Sequence, residues 1–212
     1  CNEILNLYQN LKPGPYELNV TVPGENGQIS TQSFRFELYD VKSKVLSMPK
    51  FFSYKEVKSS GEPNEKAQFL VGSSVKDLKL LYEIEHQGKI VKQEWVNLKN
   101  EQRLLEIPIE EKHRGGFSVH FLTFHSNRVV KRSSFITVPW SNKKLKVKLT
   151  SFRDKLKPGS REEWSIQVCA KDNTKVQAEM LLSMYDQSLD QFTKQEWNLN
   201  PYNYYHSRLD WN

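Results

Sequence analysis

The side chains that could do chemistry in this sequence are few and scattered. There are five histidines: His86, His113, His120, His125 and His206. His120 and His125 share the apolar run "FSVHFLTFH", where their odd separation puts them on opposite faces of a strand. That spacing argues against joint metal ligation, and neither has a cysteine pair nearby. The adjacent carboxylates Glu110–Glu111 and Glu162–Glu163 sit beside turns. Strand neighbours point apart, so neither pair makes a general acid and base; solvated turn charges are the plainer reading. Ser118 and Ser165 stand mid-strand between hydrophobics, as ordinary outward-facing polar residues do, and no Ser-His-Asp constellation can be assembled. The expectation is therefore no catalytic residue, no cofactor-binding residue, no metal ligand and no cofactor, in a protein that is not an enzyme.

Two cysteines, Cys1 and Cys169, do not make a disulfide scaffold in a chain of 212 residues. In "EWSIQVCAKD", Trp164, Ile166 and Val168 share one face and Cys169 takes the other. A reactive thiol needs an accessible, electropositive setting. Only Lys171 is close in sequence, so Cys169 reads as an inert strand residue. Cys1 could carry a lipid, but the chain runs almost at once into a strand with no polar tether. With no initiator Met and no signal peptide, an excerpt of something longer is the better expectation. The tail aromatics Trp197, Tyr202, Tyr204, Tyr205 and Trp211 could stack on sugars; packing of a loop or a partner surface is preferred.

The net charge of +6 raises the question of nucleic acid. The densest basic run is Lys143, Lys144, Lys146 and Lys148, whose last members alternate with Leu145, Val147 and Leu149. On a strand this is a solvated face or a lysine-protected edge. With no nucleic-acid motif and no glycine-rich phosphate loop alongside, no nucleic-acid partner is expected. No apolar run is long enough to span a bilayer as a helix. A mean hydropathy of −0.68 and 12% aromatic residues suit a polar-surfaced protein whose aromatics line sheets.

The elements that must position these residues read as strands. In "LKPGPYELNVTV" a Pro13–Gly14 turn leads into Tyr16, Leu18, Val20 and Val22 at period two. After Pro23 to Gly27, the residues Ile29, Phe34, Phe36 and Leu38 answer, which makes a hairpin. The device returns about 100 residues later: Gly115 and Gly116, then Phe117, Val119 and Phe121, a turn near Ser126 and Asn127, then Phe135, Ile136 and Val138. Between the two lies a whole unit, Val45 to Trp140, with seven short strands and turn signals every 8 to 12 residues. That pattern predicts an antiparallel sandwich, all-β, with Phe69, Leu80, Tyr82, Trp95, Leu105, Phe117, Val119 and Phe121 in its core. A third unit starts with "KLKVKLTSF", "EEWSIQVCA" and "VQAEMLLSMYD", all read as strands. The helix candidate is "QSLDQFTKQEW", with Ser188 as cap.

One order of elements is recognisable. A strand, the turn Leu156, Lys157, Pro158 and Gly159, the strand "REEWSIQV", and the run Ala178 to Asp186 ending in Tyr185–Asp186 resemble the bacterial alpha-2-macroglobulin family, most of all its Bacteroidetes-type members. The likeness is strongest over Leu145 to Phe192, and the sandwich pattern and the repeated hairpins agree with it. It implies tandem macroglobulin domains, each an immunoglobulin- or fibronectin-like β-sandwich. Residues 1–44 would be the C-terminal part of one domain, 45–140 a complete domain, and 141–212 the N-terminal part of the next. The family's function implies a non-catalytic piece of a protease-trapping endopeptidase inhibitor of the periplasm or cell envelope. The parent could be lipid-anchored; its partners would be proteases and its own neighbouring macroglobulin domains. The family's bait segment would come after the Tyr–Asp ending, so Ser188 to Asn212 would approach it. The family's thioester stretch Cys-Gly-Glu-Gln is missing here, since Ala170, Lys171 and Asp172 come after Cys169. Outside this family the alternatives are a carbohydrate-binding or adhesin module built on the tail aromatics, and an accessory β domain of a secreted enzyme.

Overall fold

The computed structural model describes residues 11–24, 28–151, 157, 159–183, 185, 187–194 and 200–207, without the side chains of 151 and 187. Its contacts divide the chain into two compact units, Cys1–Val138 with Tyr205–Asn212, and Pro139–Tyr204.

The first unit opens with β1 (Gly14–Pro23) and β2 (Ile29–Leu38), paired antiparallel so that Tyr16 faces Phe36 and Leu18 faces Phe34. The period-two pattern puts these four residues on one face. That face is open over most of its length: Leu18, Val20, Phe34 and Phe36 are exposed, and Tyr16 is half-buried at its end. Glu37 ties the hairpin to the sandwich. Its carboxylate accepts hydrogen bonds from Lys50 Nζ at 2.5 Å, Lys55 Nζ at 2.9 Å and the Ser47 hydroxyl. Burial raises the pKa of this carboxyl, but the bonds from Lys50, Ser47 and Lys55 outweigh it and hold Glu37 at about 2.

The sandwich is built from β3 (Ser53–Lys58), β4 (Lys66–Ser73), β5 (Leu78–His86), β6 (Lys89–Leu98), β7 (Glu101–Pro108), β8 (Phe117–His125) and β9 (Arg128–Ile136). One sheet has the order β3-β4-β7 and the other β6-β5-β8-β9, with all pairings between strands antiparallel. The seven strands expected between residues 45 and 140 are therefore present. Two hairpins close through two-residue turns with positive φ at both residues, Gln87–Gly88 and Ser126–Asn127, the twist that joins strands most tightly.

Alternation then selects the core. On β5 the residues Leu78, Leu80, Tyr82 and Ile84 point inward, on β8 Phe117, Val119 and Phe121, and on β4 Ala67, Phe69 and Val71. The sheets meet through aromatic contacts: Phe121 lies 5.2 Å from Tyr54 and 5.3 Å from Phe69, between ring centroids. Burial of its ring, above all, pushes the Tyr54 phenol up. After β9 the chain crosses to the first sheet, where Thr137 N donates to Ser59 O and Gly61 N to Thr137 O.

Of the expected core, Phe69, Leu80, Tyr82, Phe117, Val119 and Phe121 are buried, and Leu105 is half-buried against them. Trp95 is not in the core; it is 65% exposed. Its register explains this. Trp95 pairs with Leu81, an odd position on β5, while Val96 and Leu98 face inward. A large aromatic was expected inside, but the phase of the strand, not the size of the side chain, chooses the face.

In the second unit β10 (Lys146–Ser151) pairs antiparallel with β11 (Ser165–Cys169). Lys143, Lys144, Lys146 and Lys148 are exposed as expected, but so are Leu145, Val147 and Leu149. Gly159 takes φ +76, and Ser160 N donates to Lys157 O at 3.0 Å, a Pro-Gly turn that requires a left-handed third residue. Leu156 and Pro158 of that turn lie outside the described residues. The run "VQAEMLLSMYD" forms no strand among its described residues; Met184 and Asp186 lie outside them. A strand needs a neighbour to complete its ladder. Among the described residues the approach to this run makes a single bridge, Cys169 with Lys175. The expected helix is a short 3-10 turn, Gln187–Gln191, and residues 195–197 of it lie outside the described residues.

Candidate functional site

Two places gather chemistry. The first is the stretch after β11. A tight turn at Ala170–Thr174 is held by Ala170 N to Thr174 O at 2.9 Å and by Asn173 at φ +68, with Thr174 bonded to Asp172 Oδ1. Beyond Lys175, which bridges to Cys169, the described residues from Val176 to Ser183 and Tyr185 belong to no strand or helix. Val176, Met180, Leu181, Leu182, Tyr185 and Phe192 stand exposed, Phe192 at 85%. A local contact from Tyr185 OH to Asp190 Oδ1, at 2.9 Å, links the run to the 3-10 turn. Extended backbone outside any ladder, with accessible apolar side chains, is what an endopeptidase cleft takes up as an added strand. Within the same unit Trp140 Nε1 donates to Asn203 O at 2.9 Å, and Tyr202 OH reaches Lys143 O. Tyr202 is half-buried, Tyr204 is exposed, and Trp197 and Trp211 lie outside the described residues. The described tail aromatics thus include no exposed stacking row.

The second place is a polar row on the outer face of the four-stranded sheet. Odd residues of β5 and even residues of β8 face outward there. Glu83 pairs with His120, and Glu85 with Ser118. His120 Nε2 lies 2.9 Å from Glu85 Oε2, and its Nδ1 lies 2.8 Å from Ser133 Oγ on β9. Glu85 and His120 are both buried. The Ser207 hydroxyl donates to the same Glu85 oxygen that His120 meets. The row therefore runs Ser133, His120, Glu85, Ser207, with a hydroxyl at each end. A buried carboxylate–imidazole pair is tolerable when its remaining lone pairs are satisfied, and the two serines do that.

Sequence reading missed this row. His120 and His125 do fall on opposite faces, and His125 lies against Phe51 at 6.1 Å. What was not legible was that Glu85, 35 residues away, would meet His120. The one available signal was the matched polarity of the two strands at facing positions. Ser118, expected outward, is outward and yet buried.

Beside the row stands a ring cluster. His86 packs edge-on against His113 at 5.4 Å and against Tyr205 at 5.6 Å, and His113 lies 4.4 Å from Phe117. Glu110 N donates to His113 Nδ1 at 3.0 Å across a 3-10 turn, Glu111–His113. Burial lowers the His113 pKa to about 4, and burial with the nearby Lys112 lowers that of His86. Both rings are neutral near pH 7. Glu110 and Glu111 are exposed turn charges, paired with Lys112 at 2.8 Å and Arg114 at 3.0 Å. His206 lies on Phe135 at 5.8 Å. Ser165 and Glu163 are exposed, Glu162 is half-buried with a contact of its own, and Cys169 is a buried free thiol. Cys1 lies outside the described residues. Among the described residues no three or more His, Cys, Asp or Glu side chains gather where a metal ion could sit, and no helix is long and apolar enough to cross a membrane.

The chain matches none of the curated proteins with which it was compared. The family model for the alpha-2-macroglobulin bait region domain matches residues 53–192, from the first strand of the sandwich to the exposed run after β11. That is well over half of the chain, which therefore belongs to the alpha-2-macroglobulin bait region domain family.

Proposed function

We propose that this chain is a non-catalytic part of a protease-trapping endopeptidase inhibitor, and that the stretch between Thr174 and Tyr204 is what an attacking protease cuts. The observation that carries the reading is that the described residues between Val176 and Phe192 lie in no strand and are almost all exposed, within the family match. Endopeptidases need several residues of extended backbone. Described residues outside any strand, as from Val176 to Ser183, open into that shape more readily than the hydrogen-bonded sandwich does. In the parent protein the cut would trigger collapse around the attacker. The proposed partners are proteases and neighbouring macroglobulin domains, with residues 1–44, 45–140 and 141–212 as parts of three successive domains. The open apolar face of the β1–β2 hairpin supports the first of these assignments. A bacterial, Bacteroidetes-type parent in the periplasm or cell envelope belongs to the same proposal.

The test is limited proteolysis of the chain at low enzyme ratio with several endopeptidases of different specificity, read by mass spectrometry. First cuts should fall between residues 174 and 204 and leave Ser53–Val138 whole. First cuts within β3 to β9 would overturn the reading. The Ser133, His120 and Glu85 row is tested alongside: hydrolysis of peptide, ester or glycoside substrates that is lost in Ser133→Ala would make the chain an enzyme.

A further inference from the structure

We propose that Tyr205–Ser207 is a pH-sensitive strap, docked on the outer face of β5, β8 and β9 near neutrality and released in mild acid when His86 takes up a proton. This inference is independent of the protease-trapping reading.

The strap is held through its main chain and its side chains. Tyr205 N donates to Gly115 O at 3.0 Å, the Tyr205 ring stands edge-on to His86, and the Ser207 hydroxyl donates to Glu85. Between them the His206 ring lies against Phe135. The strap is only three residues long and outside any sheet ladder, so it is a locally opening element whose docking free energy is small beside that of the sandwich. A single protonation can therefore move it.

His86 is placed to be the sensor. Its Nε2 is buried and has no hydrogen-bond partner among the described residues. The groups around it offer a proton little welcome. On β6 its paired residue is Lys89. From the 3-10 turn come Lys112 and His113, and the carboxylates of that turn, Glu110 and Glu111, are engaged with Lys112 and Arg114. On β5 the Glu85 carboxylate is turned to His120 and Ser207. The strap itself brings the Tyr205 ring edge-on to His86, and His206, whose ring lies on Phe135. Burial, with the charge of Lys112, lowers the His86 pKa below its ordinary value of 6.5.

Linkage sets the direction. Docking lowers the affinity of His86 for a proton, so the released strap binds more protons than the docked one. Docking is then complete above the ordinary histidine pKa and is lost as pH falls through the lowered one. A one-unit difference between the two states is a tenfold change in the docking equilibrium.

The experiment is hydrogen exchange of the Tyr205 amide in the full chain by NMR, corrected for the intrinsic pH dependence of exchange. Protection should fall about tenfold between about pH 7.5 and about pH 5 in the native chain. It should stay level in His86→Phe, which keeps a ring against Tyr205 and cannot titrate. No fall in the native chain, or the same fall in His86→Phe, would overturn the proposal. Should His86→Phe fail to fold, the His86 titration itself decides. Its pKa must rise towards the ordinary value in Tyr205→Ala, and an unchanged pKa there would overturn the proposal as well.

Discussion

Phe121→Ala is the sharpest test of the sandwich. The ring is fully buried and touches three others, Tyr54 and Phe69 from the facing sheet and Tyr82 from β5 beside it at 6.4 Å. Moving such a side chain out of water contributes about 1.5–3 kcal/mol. The walls on both sides belong to hydrogen-bonded strands and cannot close fully over the gap, so a cavity term adds to this. The sum expected for Phe→Ala is about 3–5 kcal/mol. The control is Trp95→Ala, a larger aromatic at an exposed position on an edge strand, expected to change stability by about 0.5 kcal/mol or less. Urea denaturation of both variants, followed by far-UV circular dichroism with the slope m held to the native value, gives the two differences. A loss below about 1.5 kcal/mol for Phe121→Ala, or a Trp95→Ala loss as large as that of Phe121→Ala, would refute the assignment of inward and outward faces.

Glu37→Gln should loosen the β1–β2 hairpin from the sandwich by about 1–2 kcal/mol, discounted from the full pKa shift because Lys50 and Lys55 are partly solvated. Because its folded pKa is depressed, the Glu37 contribution should be complete above pH 4.5 and lost as pH falls through about 2, read as acid-dependent exchange at the β2 amides. Gly116→Ala should cost about 2–4 kcal/mol by thermal or urea unfolding, since Gly116 has φ +95 and an added Cβ would meet the Phe135 ring and lie 2.8 Å from Ile136 O. The Cys169 thiol should resist alkylation in the folded chain and react on unfolding, with labelling mapped to that residue by mass spectrometry.

The hairpins and the sandwich strands were legible because a half-buried strand writes its own period into the sequence, and because turns such as Ser126–Asn127 demand special residues. The family resemblance lay in equally local features, a Pro-Gly turn and the order of strands around it. Other facts were not local. The face on which Trp95 falls depends on the phase of β6 against β5. That the described residues of "VQAEMLLSMYD" form no strand depends on whether a neighbouring edge is there to take their hydrogen bonds; alternating residues cannot supply one.

The polar row was beyond sequence for the same reason. Glu85, Ser133 and Ser207 belong to no motif in their own segments, and His120 drew notice only for its spacing from His125. Strand pairing brings Glu85, His120 and Ser133 together, and the return of the chain adds the Ser207 hydroxyl to Glu85. Steric and hydrogen-bonding rules acting over a few residues set the period, the turns and the all-β class, so these could be read along the chain. Which faces are covered and which polar groups meet was set by packing. Burial is a property of what lies on a surface, and here the partners are up to 122 residues away along the chain.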